Sequence, residues 1–233
     1  MKLIKRAISS EALAASRTVW FEPGDNPATP LCLFLDGEFY LDSMHAQKAI
    51  AAMRKKGVLT DRRCVFLSHG GMQARHEDMT CNPRYSQFLV KELIPALSGA
   101  RKLPADGHLI VGLSLGGLAA AFAAVRFPRV FPRLVSQSPS AWWKDEWLAR
   151  HLGKSPLGKS RIWVSVGLKE TDTDVRHSPT GLHQVANQLD SCRRLTTALQ
   201  KTQATVRFST FDGGHDMKCW KKELPDALGW VST

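Results

Sequence analysis

The sequence predicts an α/β protein, a mostly parallel central sheet with helices on both faces. Three observations carry this expectation. Short apolar runs of strand length alternate with helix-compatible segments along most of the 233 residues. Leu109 to Ala124, LIVGLSLGGLAAAFAA, reads as a buried strand turning straight into an Ala-rich helix. No internal repeat and no low-complexity linker interrupts the alternation, so residues 1–233 are expected to form one domain.

In order, a strand is expected at Arg17 to Glu22, ended by the turn-rich PGDNPATP. LCLFLD, Leu31 to Asp36, is a buried-strand run, followed by a helix from about Ser43 to Lys56. CVFLS, Cys64 to Ser68, is the next strand, and Asn82 and Pro83 have the residue types that cap and open a helix over NPRYSQFLVKELIPALS. After the unit around Ser114 come LVSQS (Leu134 to Ser138), the helical DEWLARHL, and RIWVSVG (Arg161 to Gly167). A long helix near Leu182 to Lys201, the strand ATVRFSTF (Ala204 to Phe211) and a helix from Lys218 to about Trp230 complete the chain.

Bulk properties exclude several classes. The 43% hydrophobic content suits a globular core, and no run reaches the ~18 to 20 apolar residues of a membrane span. The first residues, MKLIKRAISSEALAASR, lack the apolar centre of a secretory signal, so a cytoplasmic protein without a membrane partner is expected. Cys32, Cys64, Cys81, Cys192 and Cys219 are odd in number and scattered, which suits free thiols better than a disulfide framework or a metal site. The net charge of +11 favours an anionic partner. Its basic residues are dispersed in pairs without a nucleic-acid motif, so each pair reads as solvated surface and no nucleic-acid partner is expected.

Ser114 stands at a strand-to-helix corner between Gly112 and Gly116, the setting of a nucleophile elbow. The backbone N–H of Leu115 would open the helix and offer one oxyanion donor. A serine needs a base, and His215 follows the last strand in a glycine loop, in the chain order serine, acid, histidine. His69, in SHGG, is the rival but precedes the serine. For the acid, Glu170 is nearest the end of RIWVSVG, ahead of Asp172 and Asp174. The second oxyanion donor is sought at the turn after Leu33 to Asp36, on the amide of Gly37 or Glu38, with Asp36 bracing the loop. This chemistry calls for no metal and no organic cofactor.

Several stretches together resemble the enterochelin (enterobactin) esterases, within the α/β-hydrolases: LDGEFY, RHEDMTCNPRYSQFLVKELIPAL, GLSLGGLAAAFAA, SQSPSAWW, GLKE and FDGGHDMKCW. The resemblance implies an α/β-hydrolase fold, with Ser114 as nucleophile, His215 as base, Glu170 as acid and the Gly37–Glu38 turn at the oxyanion site. It also implies that Arg75 and Asp78 form a polar pair, the arginine meeting anionic substrate groups at the pocket mouth, and that Trp142, Trp143 and Trp220 stack on catechol rings. Cys81 and Cys219 fall inside the same blocks and are expected near the site as free thiols. The activity it implies is hydrolysis of the ester bonds of a catecholate siderophore, ferric or iron-free. A general carboxylesterase, a feruloyl-type esterase and a basic polyanion-binding module are the other classes compatible with the sequence.

Overall fold

The computed structural model of the protein describes residues 2–24, 26, 29–59, 61–98, 104–153, 157–178 and 180–233. Part of the turn expected over residues 23–30 lies outside them. The chain starts with an antiparallel hairpin, β1 (Ile4–Ser10) and β2 (Ala15–Phe21). β3 (Leu31–Leu35) then runs through a π-helical turn at Phe39–Ser43 into α1 (Ala46–Lys55). β4 (Arg63–Leu67) is followed by α2 (Met72–Met79), and α3 (Pro83–Phe88) continues through a π-helical stretch, Leu89–Leu93, into α4 (Ile94–Leu97). The central unit is β5 (Leu109–Leu113) and α5 (Ser114–Arg126). β6 (Arg133–Gln137), α6 (Trp143–Arg150) and β7 (Arg161–Gly167) follow. A small hairpin, β8 (Val175–His177) and β9 (Leu182–Gln184), precedes α7 (Gln188–Gln200), β10 (Thr205–Phe211) and α8 (Met217–Ser232).

Eight of these strands make one sheet in the order β1-β2-β4-β3-β5-β6-β7-β10. From β4 to β10 every neighbouring pair is parallel, whereas the β1–β2 and β2–β4 pairs are antiparallel, so β2 alone runs against the other strands of this sheet. This is the α/β-hydrolase arrangement. Its side chains alternate strictly: Leu31, Leu33 and Leu35 enter one core with α3, α5 and α7, while Cys32 and Phe34 enter the other with α1 and α8. Both faces are therefore covered, which is why the central strands carry unbroken apolar runs.

The strand order reverses direction at β3 and β5, so connections leave on opposite sides and open a crevice beyond their carboxyl ends. Asp36 and Ser114 stand at the two sides of that crevice, one residue past each strand. The helix expected from Leu182 starts only at Gln188, because Asn187 caps it by accepting from the Asp190 N–H at 2.8 Å. No helix among the described residues is long and apolar enough to cross a membrane.

Candidate active site

β5 ends at Leu113 with extended backbone, and Ser114 then adopts φ 53°, the left-handed region that a serine seldom occupies. Two glycines permit the turn. A Cβ on Gly112 would lie 2.1 Å from the Gly116 carbonyl oxygen, and one on Gly116 would lie 2.5 Å from Asp36 Oδ2. The Ser114 carbonyl accepts from the Ser140 N–H at 3.0 Å, which ties the elbow to the loop after β6. Ser114 thus opens α5 with its hydroxyl at the crevice.

His215 is delivered by the glycine loop between β10 and α8, and Glu170 by the turn that follows β7. The two loops are knitted together: Leu168 N–H donates to the Phe211 carbonyl and Lys169 N–H to the Gly213 carbonyl, each at 2.9 Å. His215 Nδ1 lies 2.6 Å from Glu170 Oε2, and His215 Nε2 lies 2.9 Å from Ser114 Oγ. With Nδ1–H donated to the carboxylate, Nε2 is left as the acceptor of the serine proton. Glu170 is buried, and its second oxygen accepts from the Gly167 N–H at 2.7 Å and the Ser138 hydroxyl at 2.6 Å. Such a chain can activate a hydroxyl, hold the imidazolium that forms, and return the proton to a leaving group.

The other residues singled out from the sequence divide. Leu115 lines the crevice beside Ser114. Gly37 is pressed against β4, where a Cβ would meet the Phe66 carbonyl carbon at 2.9 Å, and the chain turns helical there. Glu38 points to the β4 loop, accepting from the Ser68 hydroxyl and, at 3.2 Å, from the His69 N–H. Asp36 is fully buried at φ 56° and forms a bidentate pair with Arg75, at 2.7 and 2.8 Å. The Arg75 guanidinium, 5.5 Å from the Phe39 ring, borders the crevice with its charge already matched.

Asp78 does not pair with Arg75 and does not line the crevice. One turn along α2 it faces the sheet and holds Arg17 of β2, at 2.6 and 3.1 Å. Burial pushes its carboxyl up, against the lowering by Arg17. Of the three tryptophans only Trp142 lines the crevice, and its face is stacked on His177 with centroids 5.0 Å apart. Trp143 turns the other way into a groove with Phe122, Trp147 and Cys81. Trp220 is buried behind His215, edge-on at 4.7 Å, where a substrate ring has no access. His69 is beside Phe39 and Glu38, away from Ser114. Asp172 borders the crevice, but the carboxylate on His215 is that of Glu170. Cys81 and Cys219 are free and line separate grooves, with only Cys219 touching the histidine loop, beneath Gly213.

The crevice encloses about 400 Å³ and is walled on one side by the β8–β9 hairpin, which brings His177, Leu182 and Gln184 to it. Sequence reasoning passed over these residues because a three-residue strand carries no periodic signal. It also passed over His76, Gln188 and Ser138. Gln188 donates to the Ser138 and Pro139 carbonyls at 2.5 and 2.7 Å and so pins the loop that holds the elbow. Among the described residues no group of three or more His, Cys, Asp or Glu is placed to hold a metal.

Comparison with known proteins gives a consistent picture. A sequence profile of the family described as "Putative esterase" matches residues 10–231. The iron(III) enterobactin esterase of Escherichia coli K12 is 28% identical over 232 residues, covering 94% of this chain and 54% of that protein. The iron(III) salmochelin esterase of Escherichia coli O6:H1 is 32% identical over 222 residues, covering 85% of this chain and 49% of that protein. The crystal structure of enterochelin esterase from Shigella flexneri superposes with a TM-score of 0.84 at 26% identity, over 99% of this chain and 58% of that one. The chain spans about half the length of the curated relatives it matches.

Proposed function

The chain belongs to the esterase family whose profile spans residues 10–231, in the branch of the enterobactin and salmochelin esterases, and on that premise we propose that it hydrolyses ester bonds of a catecholate siderophore through a serine acyl-enzyme. The observation that carries the reading is the unbroken hydrogen-bonded chain Ser114–His215–Glu170 at the crevice. The substrate class rests on what the relatives act on, and the +11 charge supports an anionic ester.

In the proposed cycle Ser114 Oγ attacks the ester carbonyl while its proton passes to His215 Nε2. The Leu115 N–H and an amide of the Gly37–Glu38 turn stabilise the oxyanion, the region where preorganised donors contribute most. His215 then protonates the departing alkoxide, and a water activated by the same nitrogen releases the acid and restores the serine. Glu170, buried and acceptor-only, keeps Nδ1–H in place throughout.

The test is chromatography of the products after incubation with ferric and iron-free enterobactin. Release of dihydroxybenzoyl-serine by the parent is expected, with Ser114→Ala lowering kcat by about 1,000-fold or more and leaving the fold intact. Cleavage of simple aryl esters without siderophore turnover would retain the serine hydrolase and discard the siderophore. Activity of Ser114→Ala within a few-fold of the parent would remove the nucleophile assignment itself.

A further inference from the structure

Ser138 follows β6 directly, is fully buried, and holds φ 40°. A serine seldom holds that backbone, and once buried its polar groups must be used. All of them are. Its N–H donates to the Ser165 carbonyl at 2.8 Å and its carbonyl accepts from Gln188. Its Oγ lies 2.9 Å from Trp220 Nε1 and 2.6 Å from Glu170 Oε1. An indole N–H can only donate, so Ser138 Oγ must accept there, and its own proton is directed to the carboxylate. With the Gly167 N–H, two donors then occupy Glu170 Oε1, and Oε2 alone is presented to His215.

We propose that Ser138, its hydroxyl oriented by Trp220, is a positioning residue that fixes the Glu170 carboxylate so that one oxygen faces the imidazole. This rests on the reading of Glu170 as the acid of the site. The contribution is expected in the steps where His215 carries the extra proton, because only then does the carboxylate face a full positive charge. Trp220 is part of the same arrangement: besides donating to Ser138 it packs edge-on against the His215 ring, at an interplanar angle of 87°.

The test is steady-state kinetics on a soluble aryl ester and on enterobactin with five single variants and one double variant, each checked by thermal unfolding. Ser138→Ala is expected to lower kcat about tenfold with KM within about twofold, the loss of one charge-assisted hydrogen bond. Trp220→Phe, which keeps an aromatic ring beside His215 but removes the N–H together with the five-membered part of the indole, is expected to lower kcat several-fold, and it serves if Ser138→Ala folds poorly. In a Glu170→Ala background the added Ser138→Ala is expected to cost less than about twofold, because the group it positions is gone. Parent-like kcat in both Ser138→Ala and Trp220→Phe, or a full tenfold loss on top of Glu170→Ala, would overturn the proposal. Parent-like kcat in Glu170→Ala, or retained activity in Ser114→Ala and His215→Ala, would instead overturn the reading of the site on which it rests.

Discussion

At the scale of single residues, the elbow is governed by atoms that are missing. Gly116 sits against the Asp36 carboxylate so closely that any Cβ must displace it, and with it the Arg75 pair. Gly116→Ala is therefore expected to destabilise the protein by about 2 kcal/mol and to lower ester hydrolysis at least about tenfold, read by urea unfolding and initial rates. Gly229→Ala in α8, where a Cβ meets nothing within 4 Å, is the control, with stability expected to rise by up to about 1 kcal/mol. The juxtaposition of Ser114, Glu170 and His215 was legible in the sequence because each follows closely on a segment of strand length, beyond whose carboxyl end the fold class places ligands. Ser138 holds the same kind of position after β6 but carries no signal of its own, since its use comes from Trp220, 82 residues away. The partners of Arg75 and Asp78 were hidden for the same reason: Asp36 and Arg17 come from other strands, and nothing local in RHEDMT distinguishes the two contacts.

At the scale of elements, strands buried on both faces were read correctly, and elements without an apolar period were not. β1, with four of its first residues exposed, and α2, rich in polar residues, offer no pattern and are placed by pairing and by the Arg17–Asp78 bond. α6 contains three consecutive left-handed residues, Lys144 to Glu146, unmarked by glycine and stabilised by the Glu146 carboxylate on Arg194 and Ser191 of α7. The opposite end of the sheet has its own polar junction. His108 is buried before β5, and its Nδ1 accepts from the Leu31 N–H of β3 at 2.9 Å, so protonating Nδ1 would set two donors face to face. Burial lowers its pKa from 6.5 to about 4. The unfolded chain therefore binds the proton first as pH falls, and the stability present above pH 6.5 is lost on descent toward pH 4. The slope from this group is up to about 1.4 kcal/mol per pH unit. Urea midpoints measured from pH 7 to 4 should decline along that slope, and His108→Gln should flatten the decline; an unchanged slope in the variant would assign it to other groups.

At the scale of the whole molecule, the excess of 11 positive charges acts at a distance as well as on contact. At 0.1 M salt its reach is only about 10 Å, so kcat/KM for an anionic ester should fall several-fold as salt rises from about 20 to about 200 mM. A neutral ester should change by less than about twofold, and parallel salt curves for the two would remove electrostatic capture. The sheet order also decides when the machinery can exist. Serine and histidine lie 101 residues apart, and the glutamate arrives on the turn after β7, whose outer neighbour is β10. During folding, hydrophobic burial of the β3–β5–β6 centre can proceed without the hydrogen bonds among Ser114, His215 and Glu170, which close only when the C-terminal edge strand and α8 dock. Recovery of ester hydrolysis after dilution from denaturant is thus expected to follow the docking of the last strand and to come no earlier than burial of the central core, read by activity and tryptophan fluorescence in parallel.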